Sequence, residues 1–377
     1  MNWFRILIFL TLVITIWGGI HFYVYKRTIH FLNISGAFKI YLALAIFILF
    51  FSYPLIRAIS GFLPVEISLV LHILSTLWIG MVFYLFLFFI LADLITLILS
   101  LAFPIPKVAI GIAVFILTIL TVIYGYIEAN RISTRKITIK IENLNGKELR
   151  IVHLSDLHLG LNFNYLKLKR MIPHINKFSP DLVLITGDIL DEKADRINKY
   201  KNLFSEIQSG LGIFAVTGNH EFYAGNQKSI EFLKSAGITL LRNQVLTLNN
   251  VEIAGVDDEE FLRNSKNWKE NLKNTLKKAH KENMLILLKH RPTGFDIARE
   301  NGVSLMLCGH THRAQLFPLH FITSRVYRYF YGYHIEGKMH IYVNSGLGTW
   351  GPPLRLFAPP EIVFITLKPA PSLKPAP

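Results

Sequence analysis

The apolar positions of this chain fall into two patterns. Up to residue 127 they come as long runs: Trp3–Tyr25 (23 residues, broken only by Arg5), Ile40–Ile56 (17), Ile67–Ala92 (26) and Val108–Ile127 (20). About 20 apolar residues cross the hydrocarbon core of a bilayer as a helix, so each run predicts a membrane span. Asp93 interrupts an apolar stretch that resumes and continues to Phe103, ahead of Pro104-Ile105-Pro106-Lys107. The count is therefore four with one overlong helix, or five. The first run exceeds the apolar core of about 7–15 residues found in a cleavable leader and has no small-residue cleavage site, so it reads as retained.

From Arg131 onward the charge density rises and the runs shorten. Ile137–Ile141 alternates as a strand does. Leu149–Leu154, Leu182–Thr186, Ile213–Thr217, Met284–Lys289 and Ser304–Cys308 are brief apolar runs, separated by polar, helix-compatible stretches such as Tyr165–Lys177 and Lys228–Ala236. Buried strands alternating with helices predict an α/β architecture. The expected organisation is a transmembrane region over 1–130, a folded domain over 131–368 and a disordered Pro-rich tail over 369–377.

Composition sharpens this picture. The chain of 377 residues is 52% hydrophobic and 17% charged, against about 25% charged in an ordinary soluble domain. Of the formal net charge of +15, +12 falls after residue 128, which favours anionic partners such as phosphorylated substrates, anionic lipid or nucleic acid. A single cysteine, Cys308, excludes an intramolecular disulfide framework and a cysteine-rich zinc module. With four spans, Lys and Arg flank the N-terminal side six to four, a margin that favours a cytoplasmic domain under the positive-inside rule without fixing its side. The expected location is a bacterial cell membrane.

Each short run ends in polar residues: Ser155-Asp156-Leu157-His158, Gly187-Asp188, Gly218-Asn219-His220-Glu221, His290-Arg291-Pro292 and Gly309-His310-Thr311-His312. In α/β folds functional groups collect at the carboxyl ends of strands. Any one cluster is ordinary turn chemistry; five in succession are a constellation. Carboxylate, imidazole and amide oxygen together suit Mn, Fe or Zn, whereas an all-oxygen cage suits Mg or Ca. The donors are too many for one tetrahedral site. A pair of ions about 3.5–4 Å apart would use them and would clamp the attacking and leaving oxygens of a phosphate ester.

The order Asp-x-His, Gly-Asp, Gly-Asn-His-Glu, His, Gly-His-x-His resembles the calcineurin-like metallophosphoesterases, over roughly Ile137–Lys368. Asn344-Ser345-Gly346-Leu347-Gly348, Pro359-Pro360-Glu361 and the multi-span N-terminus are similar to the membrane-associated bacterial branch. The resemblance implies a four-layer αββα fold and two divalent ions. Asp156, His158 and His312 would hold the first, Asn219, His290 and His310 the second, and Asp188 would bridge them. A metal-bound hydroxide would attack phosphorus, with His220 as the catalytic residue that stabilises the phosphoryl oxygens or protonates the leaving group. Where related members read Gly-His-Thr-His-Gly-Gly-Gln, this chain has Arg313-Ala314-Gln315, which puts a cation at the rim as a candidate substrate contact.

The expected function is thus a membrane-anchored phosphoesterase acting on a phosphodiester, phospholipid or other lipid-linked ester at the bilayer. A nuclease and a catalytically silent scaffold are the alternatives. The aromatic and basic stretch Phe317–His334 reads either as a lid or strand pair touching lipid headgroups, or as a hairpin of the core.

Overall fold

A computed structural model describes residues 3–370, apart from 102, 143, 145, 161–164, 192–197, 262–266 and 281; for residues 3–6, 9, 10 and 226 it describes the backbone alone. The tail expected over 369–377 lies almost wholly outside the described residues. The chain divides into two units, residues 1–127 with 351–354, and residues 128–350 with 355–377.

The first unit is helical: α1 (Trp3–Leu32), α2 (Phe38–Ile59), α3 (Val65–Leu99) and α4 (Lys107–Asn130). Among the described residues, three segments are long and apolar enough to cross a membrane: Phe38–Phe62, Val65–Leu99 and Lys107–Asn130. The first expected span falls on α1, some of whose side chains lie outside the described set. Asp93 does not break α3. Its carboxylate is 2.8 Å from Arg27 Nε and accepts the Tyr23 hydroxyl, so partners on α1 satisfy the charge and the helix continues for two more turns.

The second unit is built on twelve strands: β1 (Ser133–Ile141), β2 (Leu149–Leu154), β3 (Leu182–Ile185), β4 (Gly212–Ala215), β5 (Thr239–Leu240), β6 (Gln244–Leu248), β7 (Val251–Gly255), β8 (Met284–Leu288), β9 (Leu305–Cys308), β10 (Gly332–Glu336), β11 (Met339–Val343) and β12 (Glu361–Pro369). They form two six-stranded sheets, ordered β1-β12-β2-β3-β4-β5 and β10-β11-β9-β8-β7-β6. Pairing is parallel through β2-β3-β4-β5 and through β11-β9-β8-β7, with antiparallel partners at β12-β2, β10-β11 and β6-β7.

Alternation along each strand sorts the apolar side chains into layers. Ile151, Leu184, Phe214 and Ile365 of one sheet meet Ile253, Ile286, Leu307 and Tyr342 of the other in the central core. On the outer face of the first sheet, Val152, Val183 and Phe364 pack against α5 (Tyr165–Lys177), α6 (Lys201–Ser205) and, beyond the short α7 (Asn219–Tyr223), α8 (Asn226–Ser235). On the outer face of the second, Leu285, Leu287 and Met306 pack against α9 (Trp268–Leu276) and α10 (Phe295–Glu300). Strands buried on both faces need near-continuous apolar sequence, and that is why the runs were legible. The result is the four-layer αββα sandwich.

Candidate metal centre

Both sheets send the carboxyl ends of their strands to one rim. Asp156 and His158 follow β2, Asp188 follows β3, Asn219 and His220 open α7 after β4, His290 follows β8, and His310 and His312 follow β9. Three of these turns hold five residues other than glycine in left-handed backbone: φ is +52° at Asp156, +48° at His158, +50° at Asp188, +73° at His310 and +49° at His312. Such conformations cost about 1–3 kcal/mol each and persist where the surroundings over-determine them, typically at functional sites. Glycine at Gly218 is required because a Cβ there would collide with the Asp188 carboxylate, and at Gly309 because it would collide with Ser155 Oγ and Asp156.

The side chains converge in two groups that could each hold a cation, Asp156-His158-His312 and Asp188-His290-His310. In the first, His158 Nε2 lies 3.0 Å from His312 Nε2, and His312 Nε2 lies 3.3 Å from Asp156 Oδ1. In the second, His290 Nε2 lies 3.1 Å from His310 Nδ1 and 3.2 Å from Asp188 Oδ2. Asp188 Oδ2 is also 3.8 Å from His158 Nε2, so one carboxylate oxygen stands between the groups. Asn219 Oδ1, buried at the same place, has no hydrogen-bond partner among the described residues. A buried amide oxygen without a hydrogen bond costs free energy unless something occupies it, and imidazole nitrogens and carboxylate oxygens converging from several strands are donors of the kind a divalent ion takes. The donor set therefore fits a pair of divalent ions.

Outer contacts fix these candidate ligands. His290 Nδ1 donates to Thr186 O (2.7 Å), which leaves Nε2 free to ligate. The His310 amide donates to both Asp156 oxygens, and the His220 amide to Asp188 Oδ1 (2.8 Å). Burial pushes Asp188 up, but the histidines around it outweigh this and hold the carboxyl well below its usual range. Burial also opposes charge on His290, yet Asp188 prevails and raises the imidazole to about 10, whereas His310, desolvated and facing His290, falls to about 3.

Three residues that the motifs did not assign complete the site. Asp191 Oδ1 lies 2.7 Å from His220 Nδ1; burial lowers the His220 pKa, but Asp191 and Asp188 raise it to about 9. His158, Asp191 and His220 also satisfy metal-ligand spacing, but here Asp191 is already occupied by the imidazole N–H. Glu221, fully buried, accepts the backbone N–H groups of Asp188 (3.0 Å), Ile189 (2.7 Å), Leu190 (2.9 Å) and Gly218 (2.7 Å). It thereby splices the β3 and β4 turns. Arg355, also fully buried, donates to the carbonyls of Ser345 (2.9 Å), Gly346 (3.2 Å) and Ala358 (2.9 Å) and to His312 Nδ1 (3.1 Å). The Asn344–Gly348 run is thus a brace: Leu347 N–H donates to Ser155 O (3.0 Å) and Gly348 N–H to Asp156 O (2.7 Å). Asp191 could have been sought three residues past Asp188; a lone arginine in a Pro-rich loop carried no signal.

A cavity of about 290 Å³ opens over the metal groups, bounded by Asp188, Asn219, His220, His310 and His312 below and by Leu319, Tyr327 and Trp350 above. Arg313 lies with its guanidinium 4.2 Å from the Tyr331 ring centroid and is not among the residues bounding this cavity. The stretch Phe317–His334 forms the short helix α11 (His320–Val326) before it enters the β10-β11 hairpin.

The calcineurin-like phosphoesterase profile matches residues 149–314, the stretch that holds every candidate ligand. A metallophosphoesterase of Helicobacter pylori is 35% identical over 225 residues, 59% of this chain and 60% of that protein. One from Aquifex aeolicus is 34% identical over 256 residues, 65% of this chain and 95% of that protein. A transmembrane protein with a metallophosphoesterase domain from Danio rerio is 32% identical over 274 residues, 68% of this chain and 62% of that protein. The chain thus spans about 60% of the length of the Helicobacter relative. Two sheets that deliver carboxylate, amide and imidazole to one rim, and a match along nearly all of the Aquifex protein, lead to one conclusion: the chain belongs to the calcineurin-like metallophosphoesterases.

Proposed function

We propose that this chain is a membrane-anchored dinuclear phosphoesterase of a bacterial cell membrane that cleaves phosphate esters presented at the bilayer, phosphodiesters and phospholipid-like esters first among them. In this reading Asp156, His158 and His312 hold one ion, Asn219, His290 and His310 hold the other, and Asp188 serves both. Mn, Fe and Zn suit this mixed nitrogen and oxygen donor set. The ions, when bound, supply Lewis acidity to the phosphoryl oxygens and lower the pKa of the attacking water. The observation that carries the proposal is the place of Asp188, with one carboxylate oxygen 3.2 Å from His290 and 3.8 Å from His158.

The protein's own groups do the rest. Asp191 accepts a hydrogen bond from His220 Nδ1–H and sets the ring, so Nε2 is the position from which a proton can pass to the leaving oxygen. Glu221 holds the backbone of the Asp188 and Asn219 turns, which keeps the ligands in place through the reaction. Arg313, stacked on Tyr331, is a candidate rim contact for a second anionic group of the substrate.

The test uses the purified full chain stripped of metal, then given Mn, Zn, Fe or Mg, with bis(p-nitrophenyl) phosphate and p-nitrophenyl phosphate as substrates. Turnover should return with the metal, and the diester should be preferred. His220→Ala should keep both ions and lose about 10²–10⁴ in rate, the usual worth of a general acid. Unchanged hydrolysis by that variant would remove His220 from the chemistry.

A further inference from the structure

The roof of the catalytic cavity has two faces. Thr323 of α11, with Leu319 and Tyr327 that flank the helix, lines the cavity beside His310 and His312. These three side chains mark the side of α11 that faces the cavity. On its other sides Phe321, Ile322 and Val326 stand 67%, 63% and 68% exposed. Phe317 and Phe357 extend the patch, with the Phe317 ring 5.8 Å from Phe321 and 5.5 Å from Phe357, and Trp350 bounds the cavity while half exposed. Exposed apolar side chains are ordinary singly, but gathered around the mouth of a site they mark an interaction surface.

The charge pattern names the occupant. From Arg313 to Ile335 the chain carries Arg313, Arg325 and Arg328 and no Asp or Glu; Arg328 pairs with Glu336 (3.0 Å), Arg313 stacks on Tyr331, and both stand beside aromatic rings. Aromatic rings beside cations favour the headgroup level of a membrane, and Lys or Arg near an anionic leaflet adds about 1 kcal/mol each. Only Arg131 and Ile132 separate α4 from β1, so the covalent chain keeps the catalytic unit within reach of whatever surface α4 leaves. The cavity itself is amphipathic, with carboxylates and imidazoles at its base and Leu319, Tyr327 and Trp350 at its rim.

We propose that α11 docks its exposed face in the bilayer interface while its inner face guides the headgroup of a membrane amphiphile, a phosphate ester carrying acyl or isoprenoid chains, from that interface to the metal groups. The assignment of a substrate rests on the phosphoesterase reading above; the docking of α11 does not.

Two measurements test it. Ile322→Cys is labelled with bimane in the full chain, since Cys308 is fully buried, and reconstituted in nanodiscs of phosphatidylcholine and phosphatidylglycerol. Doxyl-labelled lipid should quench the label and aqueous iodide should not. Quenching by iodide alone would put the face in water, and shielding from both quenchers would put protein over it; either result overturns the proposal. In the second, Phe321→Asp with Ile322→Asp should slow cleavage of a diacyl phosphodiester in vesicles by about tenfold, the equivalent of ~1.4 kcal/mol of lost apolar burial. Cleavage of soluble bis(p-nitrophenyl) phosphate should stay within about twofold on the same arithmetic. An equal loss on both esters would make α11 a structural roof and sink the docking role. If the unmodified protein cleaves neither ester with any metal, the phosphoesterase reading fails, and the quenching pattern still decides whether α11 docks.

Discussion

Asp191 reaches across from the turn after β3 to the imidazole that opens α7, with its Oδ1 2.7 Å from His220 Nδ1. This contact orients the ring and favours its protonated form, since Asp191 and Asp188 together outweigh the burial that would lower its pKa. Asp191→Asn keeps the shape and removes the charge. The expected outcome is a fall in kcat of about 10–100-fold, the usual cost of losing an orienting partner around a metal site, with both ions retained by elemental analysis. Loss of metal in that variant would instead make Asp191 a ligand.

Asn219 supplies the clearest signature of an ion, because its amide oxygen is buried without a partner among the described residues. Asn219→Ala should lower metal content from about two ions per chain to about one, as expected for a two-ion site that loses a terminal ligand. The calorimetric titration should lose its weaker step. Two ions bound with unchanged affinity would show that Asn219 faces the cavity for another reason.

Glu221 is predicted to matter for the scaffold before it matters for chemistry. Replacing it with Ala leaves four buried backbone donors without an acceptor, and each such donor costs about 1–3 kcal/mol. Glu221→Ala should melt far below the parent or fail to fold, while Glu221→Gln, which retains a carbonyl acceptor, should fall between the two. Equal melting temperatures for all three proteins would contradict the splice between the β3 and β4 turns.

Lys167 carries the pH prediction. Its ammonium donates to Ala129 O (2.9 Å) and Leu347 O (3.0 Å), and burial, with a smaller push from the positive Arg355, lowers its pKa from 10.5 to about 7. Between those two values the unfolded chain binds a proton that the folded chain does not, so stability contributed here rises with pH. The contribution is complete above the unfolded pKa and lost as pH falls through about 7. Melting of the full chain in detergent should show this rise, and Lys167→Met should flatten it. An unchanged slope in the variant would assign the rise to other groups.

How much of this the chain announced follows from how local each signal is. Candidate ligand clusters such as Asp156-Leu157-His158 and Gly309-His310-Thr311-His312 are written within four residues, and the strands that end in them are apolar on both faces, so their meeting at one rim is legible in the sequence. The helix Tyr165–Lys177 was readable too, because its apolar positions keep a helical period. Arg355 was silent: its role depends on a carbonyl cage and on His312, 43 positions earlier, and no spacing rule links them. The helix over His320–Val326 was hidden by its composition, since Ile, Thr, Val and Phe favour strands. Tertiary placement over the cavity prevails there, and the strand character appears only at Gly332–Glu336.

The position of β12 sets a schedule for the whole unit. It lies between β1 and β2, parallel to the first and antiparallel to the second, so those two strands, though neighbours in the chain, have no common partner until the segment after residue 360 has been synthesised. The turn that bears Asp156 and His158 leaves β2, and its brace at Ser345 is tied to Glu361, the first residue of β12. The first sheet, and with it the brace behind Asp156 and His158, is therefore closed by the segment of chain made last.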